Sequence, residues 1–349
     1  MYLTHMKAIQ YERLGTSEVL EYKDVPDPIA GSNEIVYRVH AASLNHLDLH
    51  FRRGLPGMRS PLPHIPGSDG AGVVESVGKN VTSCKPGDRI VMNPGVSCER
   101  CDRCREGNIS LCHEYRVLGR ETDGSYAEKM AIPAKNAIPL PDHVPFDIAA
   151  CAPLVYLTAW SMVVSKARVK AGQTILVMAA GSAVSIAAIQ IAKYFGCKVI
   201  ATASTKEKAE RAKNLLPVDE ALVYTECEID REIRILTDRR GVDAVIDHVG
   251  GSQWQPILRA TRNGGTVVSC GATAGFDPVE DLRHVFYRQV RILGSTMGTL
   301  AELQDVLALV FDGTLTPIVD EVFPLSSAAA AQDKMEARKS FGKIVLNPP

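Results

Sequence analysis

Four cysteines stand within fifteen residues, in the spacing Cys98-x2-Cys101-x2-Cys104-x7-Cys112. Thiolates are soft ligands, and four of them in one short segment suit a single tetrahedral zinc ion. Arg100, Arg103 and Arg105 lie among them and favour the ionised thiols. With every coordination position taken by protein, such an ion has no open place for substrate. Its expected role is to pin a loop, as one structural zinc per chain. The other five cysteines, Cys84, Cys151, Cys197, Cys227 and Cys270, are scattered.

The second chemical signal is a loop between a strand-like and a helix-like run. Thr174-Ile175-Leu176-Val177-Met178 leads into Ala179-Ala180-Gly181-Ser182-Ala183-Val184-Ser185, and an apolar helix is expected from Ala183 to Phe195. A dinucleotide-binding unit has Gly-x-Gly-x-x-Gly here, but Ala180, Ser182 and Ser185 take the glycine places. The free N–H groups that open the helix still attract a pyrophosphate, so Gly181, Ser182, Ala183 and Val184 are the expected contacts. After the next strand, Lys198 to Thr202, an NAD site carries an acidic residue for the ribose hydroxyls. This chain has Ala203 there, with Ser204, Thr205 and Lys208 following, which suits the 2′-phosphate of NADPH.

These groups need two kinds of scaffold. The first 150 residues are rich in turn signals, such as Pro61-Leu62-Pro63 and Lys85-Pro86-Gly87-Asp88, between short β-branched runs, and predict a mainly β domain. From about residue 155 strands and helices alternate, with further strands expected at Ala221 to Tyr224, Asp243 to Asp247, Thr266 to Ser269 and Arg291 to Gly294. That pattern predicts a doubly wound parallel sheet with ligands at the carboxyl ends of its strands. The length of 349 residues allows two or three domains. Hydrophobic residues are 46% and charged residues 23%, which excludes collagen-like, coiled-coil and disordered chains. A net charge of -1 gives no grip on phosphate backbones or anionic lipid, so no nucleic acid and no membrane partner is expected. The start of the chain lacks a signal-peptide pattern, and the expectation is a cytoplasmic protein.

Several blocks together resemble the medium-chain dehydrogenase/reductase family, which includes zinc alcohol dehydrogenases and quinone oxidoreductases. They are Asn45-His46-Leu47-Asp48-Leu49-His50, Pro66-Gly67-Ser68-Asp69-Gly70-Ala71-Gly72, Pro86-Gly87-Asp88-Arg89-Ile90, the cysteine segment, Ala187-Ala188-Ile189-Gln190-Ile191-Ala192-Lys193 and Gly342-Lys343-Ile344-Val345. The resemblance implies an α/β architecture: a GroES-like, mainly β catalytic domain over 1–155, completed by 298–349, and a Rossmann nucleotide-binding domain over 156–297. It also implies a nicotinamide cofactor, a small-molecule substrate and a homodimer or homotetramer.

Zinc-dependent members of the family place a cysteine, a histidine and a third cysteine or acidic ligand where this chain has Asn45, Ser68 and Leu154. Those three cannot form a zinc shell. A rearranged metal site would have to draw on His46, His50, Asp48, His64 and Asp69. Without the metal an unactivated alcohol is a difficult hydride donor, whereas a conjugated carbonyl needs only donors to its developing oxyanion. Asn45, His50, Ser68 and Tyr156 are the candidate catalytic residues, and Thr158 is expected under the nicotinamide. The sequence thus points to an NADP(H)-dependent reductase of quinones, enones or enoyl thioesters without a catalytic metal. The alternatives are an alcohol dehydrogenase or aldehyde reductase with a rearranged metal, and a non-catalytic NADPH-binding protein.

Overall fold

The computed structural model describes residues 4–54 and 61–349, which divide into two compact units: Met1–Leu154 with Thr299–Pro349, and Val155–Gly298.

The first unit is built on a seven-stranded sheet. Its path runs Val319–Pro324, Lys343–Asn347, Glu34–Ser43, Gly70–Val77, Arg89–Met92, Ala137–Pro139, and Lys129–Pro133 also pairs with Glu34–Ser43. The C-terminal strand enters this sheet antiparallel, with Val345 opposite Ser43 and Leu346 opposite Ala42. That register brings Lys343 beside Leu44 and Asn45, almost three hundred residues away along the chain. Ile35, Tyr37, Ile90, Ile132, Ile344 and Leu346 fill the core.

Beyond Asn45 the chain turns into the helix His46–Arg53, and the Asn45 backbone N–H donates to the Asp48 carboxylate at 2.8 Å to start it. Its far end is tied down by Arg52. This guanidinium is fully buried, donates to the Gly15 carbonyl at 3.3 Å, and also holds Gln332 and Glu336 of the helix Ala328–Glu336. Clamped at both ends, the helix fixes His50 on the scaffold.

The second unit is a six-stranded parallel sheet in the order Glu220–Val223, Lys198–Ala203, Thr174–Val177, Val242–Asp247, Thr261–Ser269, Arg291–Gly294. By chain order this is the 3-2-1-4-5-6 winding of a dinucleotide fold, whose order reverses between Thr174–Val177 and Val242–Asp247. Both central strands are buried along their whole length, as expected when helices cover both faces. The fifth strand begins at Thr261, earlier than its composition suggests. Asn263-Gly264-Gly265 reads as a turn but lies inside the strand, and the pairing register with its neighbour slips there.

Candidate functional site

The cysteine segment folds as the spacing requires. The sulfurs of Cys98, Cys101, Cys104 and Cys112 all lie within 4.8 Å of one another. Two of the edges are 3.9 Å, for Cys98–Cys104, and 3.6 Å, for Cys101–Cys104. A tetrahedron with metal–sulfur bonds of about 2.3 Å has edges of about 3.8 Å, so the four sulfurs fit zinc, and they are too far apart for a disulfide. Backbone N–H groups of Cys101 and Glu114 point at Cys98 and Cys112 Sγ, at 3.4 and 3.3 Å, which supports thiolate charge. Among the described residues no other group of three or more His, Cys, Asp or Glu converges for a metal.

In the second unit the loop after Thr174–Val177 sits at the reversal point of the sheet. Ala179 and Ala180 donate their N–H groups to Thr202, at 3.0 Å to Oγ1 and 2.7 Å to the carbonyl. Ala179 adopts a φ of +55°, a left-handed conformation that costs a non-glycine residue about 1 kcal/mol. Ser182 stands at the N-cap position of the helix Ala183–Tyr194 without a side-chain cap bond, and the first N–H bonded within the helix is that of Ile186, donating to the Ser182 carbonyl. The N–H groups of Ala183, Val184 and Ser185 are therefore open to an anion among the described residues. Ser185, in the third glycine place, donates to the Met178 carbonyl at 2.6 Å and meets His248 Nε2 at 2.9 Å. Its single proton goes to the carbonyl, so His248 must donate through Nε2, and burial holds that imidazole down at about 4, neutral. His248, following the strand Val242–Asp247, is a residue at this site that sequence reasoning missed.

The residues expected to recognise the adenosine end follow the strand Lys198–Ala203. Ala203 is buried, Ser204 and Lys208 are half-buried, and the exposed Thr205 caps the helix Lys206–Leu215 by accepting the Lys208 N–H at 3.2 Å. Two further candidates belong to the same unit. Thr158 is buried, with Oγ1 4.0 Å from Met297 Sδ. Tyr156 needs correction as a free donor: it is 1% exposed and its hydroxyl donates to Gln190 Oε1 at 3.1 Å.

The first unit carries a buried polar network around Asn45. The Asn45 amide donates from Nδ2 to Asp69 Oδ2 at 2.9 Å and accepts at Oδ1 from Lys343 Nζ at 2.8 Å. It is a strut between two charged groups, with one of its two amide N–H groups spent on Asp69. Lys343 also donates to the Leu44 carbonyl at 2.8 Å and pairs with Asp69 at 3.1 Å. The other Asp69 oxygen accepts the Leu154 backbone N–H at 3.0 Å. Burial pushes the Asp69 carboxyl up, and Lys343 pulls it back down. Asp48 accepts from Tyr126 at 2.9 Å. Ser68 is wholly buried and its hydroxyl has no hydrogen-bond partner among the described residues. It is held by the loop at Gly67, whose φ is +112° and where a Cβ would stand 2.4 Å from Tyr126. His50 is half-buried, with its pKa lowered by burial and by Arg53. His46 is exposed one turn away on the same helix, whereas His64 is buried with Nε2 at 3.1 Å from the Gly119 carbonyl. These histidines and carboxylates do not assemble into the rearranged metal site.

Residues 31–142 match the family "Alcohol dehydrogenase GroES-like domain", and residues 183–312 match "Zinc-binding dehydrogenase". The crystal structure of an NAD-dependent alcohol dehydrogenase is 46% identical, with a TM-score of 0.94, covering 98% of this chain and 99% of its own. The quinone oxidoreductase of Pseudomonas aeruginosa is 31% identical over 98% of this chain and 99% of its own length. The acryloyl-coenzyme A reductase of Sulfurisphaera tokodaii is 28% identical over 98% of this chain and its whole length. The chain belongs to the medium-chain dehydrogenase/reductase family. It combines a GroES-like domain with a Rossmann domain, and its relatives are oxidoreductases. In this medium-chain dehydrogenase/reductase Asn45 and the Leu154 backbone, two of the three places read as missing zinc ligands, bond a lysine–aspartate pair, a role for Lys343 that the sequence analysis missed. Its signal was a lysine opening the strand Lys343–Asn347, directly before the apolar run Ile344-Val345-Leu346. Among the described residues no helix is long and apolar enough to cross a membrane.

Proposed function

We propose that the protein uses NADPH to reduce a conjugated carbonyl, a quinone, enone or enoyl thioester, without a catalytic metal. The observation that carries this reading is the Lys343 ammonium, 2.8 Å from Asn45 Oδ1 and 3.1 Å from Asp69. Lys343 occupies the Asn45 and Asp69 oxygens that a cation at this place would need, and Asn45, Ser68 and Leu154 offer no thiolate, imidazole or carboxylate to bind it. A lysine–aspartate pair bonded to Asn45 thus supports a site without a Lewis acid.

When bound, the nicotinamide supplies the hydride. The open N–H groups of Ala183, Val184 and Ser185 would hold the pyrophosphate, and Ser204, Thr205 and Lys208 would hold the 2′-phosphate. The unpartnered Ser68 hydroxyl is available to donate to the developing oxyanion. The lowered pKa of His50 favours a neutral ring, whose one N–H can donate a hydrogen bond to the developing oxyanion while solvent supplies the product proton. Asn45 contributes by holding Lys343 and Asp69 in place.

A second reading, NAD-dependent alcohol oxidation, is favoured by the 46% identity to an NAD-dependent alcohol dehydrogenase. The test is a turnover screen of NADPH and NADH with quinones, enones, enoyl thioesters and aldehydes, set against oxidation of simple alcohols. Alcohol oxidation that a chelator sparing the cysteine segment abolishes, and zinc restores, would overturn the proposal, as would tighter binding of NADH. Self-association is also part of the reading. Exposed Phe276, Val279, Leu282, Phe286 and Tyr287 lie just before the open edge strand Arg291–Gly294, a surface that suits a second copy of the chain.

A further inference from the structure

The Rossmann unit has a second charged feature, at the end of its sheet opposite the nucleotide loop. Around the starts of the strands Val242–Asp247 and Thr261–Ser269 a cavity of about 580 Å³ is lined by Arg234, Arg239, Arg240, Arg259, Arg262 and Arg288. The whole chain has a net charge of -1, so this concentration of guanidinium groups is local.

Nearby carboxylates account for only part of that charge. Asp243 Oδ1 accepts from Arg240 at 2.5 Å and Arg262 at 2.7 Å, while Asp230 accepts from Arg259 at 2.8 Å. Arg288 is spent on neutral acceptors, the Leu258 and Thr261 carbonyls, Asn263 Oδ1 and His284 Nδ1. Arg234 and Arg239 make no ion pair or side-chain hydrogen bond among the described residues. Six guanidinium groups thus meet two carboxylates. Arginines near the C-termini of Ile229–Leu236 and Trp254–Ala260 offset the helix dipoles, which explains Arg234 and Arg259. It does not explain Arg239 and Arg240, which lie beyond the first helix. Crowding is evident in Arg288, whose pKa is lowered by burial and by Arg234. A neighbouring cavity of about 260 Å³ shares Arg262 and adds Asp243, Arg168, Lys170 and Arg291.

We propose that this cavity binds a small anion bearing two or more phosphate groups, at a site separate from the nucleotide loop. Planar guanidinium forks match phosphate oxygens two by two, and several of them around one concavity select multiple charge over a single ion. The shared chemistry is a linked di- or triphosphate, whether inorganic or part of a nucleotide.

The test is calorimetric titration of the intact protein with inorganic phosphate, pyrophosphate, tripolyphosphate and ATP at fixed ionic strength, with and without saturating NADPH. The comparison protein is Arg234→Gln/Arg239→Gln, which removes two unpaired charges and breaks no ion pair. Tripolyphosphate or ATP should bind saturably and more tightly than inorganic phosphate, with NADPH making no difference. In the double variant that binding should weaken at least about tenfold while NADPH affinity stays unchanged. Tighter ATP than tripolyphosphate would mark a nucleotide as the source, and equal binding an inorganic polyphosphate. Absence of saturable binding, competition by NADPH, or equal binding to the double variant would overturn the proposal. So would a change in oligomeric state in the variant with no change in anion binding.

Discussion

Replacing Asp48 by asparagine should stabilise the GroES-like unit at neutral pH, and the gain should vanish in acid. The carboxyl is 2% exposed, and one of its oxygens, Oδ2, takes both hydrogen bonds, from the Asn45 N–H at 2.8 Å and the Tyr126 hydroxyl at 2.9 Å. The other oxygen has no partner among the described residues. Burial pushes the carboxyl from its ordinary 3.8 up to about 6, against the pull of those hydrogen bonds and of Lys343. The folded pKa lies above the unfolded one, so between about pH 4 and 6 the folded chain keeps a proton that the unfolded chain has lost. The contribution of Asp48 is fully present below about pH 4, falls as pH rises through 6, and is flat above; its size is roughly 3 kcal/mol. Asparagine mimics the protonated form, because its Oδ1 can take both donors and its amide fills the place of the unpartnered oxygen. The variant and the wild type should have equal stability near pH 4 and differ by roughly 3 kcal/mol at pH 7, or about 6–12 °C in Tm for a unit of this size. Paired thermal melts from pH 4 to 8 cancel the carboxylates common to both proteins. A variant less stable at pH 7, or a difference independent of pH, would refute the reasoning.

Elemental analysis should find one zinc per chain, and Cys101→Ser should lower Tm while the folded fraction still binds NADPH; two equivalents, or none, would contradict the cysteine assignment. Lys343→Met should cost about 3–5 kcal/mol by leaving Asp69 buried and unpaired. Adding Asp69→Asn should recover a large part of that loss in denaturation midpoints, and additive losses would count against the pair. Phe286→Asp should shift the protein toward monomer in sedimentation velocity, and an unchanged sedimentation coefficient would remove that surface from the oligomer interface.

Local patterns in the sequence carried the sheet of the Rossmann unit, because a fully buried parallel strand writes its burial as a short run such as Ile175-Leu176-Val177. They failed at Thr261–Ser269, where two glycines resemble a turn and only pairing with the neighbouring strand reveals continued extension. They missed Ile229–Leu236, whose apolar face is narrow, with only Ile229 and Ile233 buried. The cysteine cluster was legible for a different reason: its four thiols lie in one short stretch, so spacing encodes geometry.

The site around Asn45 had the opposite character. Resemblance marked Asn45, Ser68 and Leu154 as places where zinc ligands were missing, but a missing ligand does not say what replaces it. The replacement comes from the last strand of the chain, through the register that sets Val345 opposite Ser43 and so delivers Lys343 to Asn45 and Asp69. A buried lysine needs partners for its charge, and here the Leu44 carbonyl, the Asn45 amide and the Asp69 carboxylate supply them. Asn45 can serve this pair because an amide accepts from an ammonium at one end and donates to a carboxylate at the other. Aspartate in its place would add a second anion and alanine would leave both charges short of a partner, so the residue that looked like a lost metal ligand is the one the lysine–aspartate pair requires.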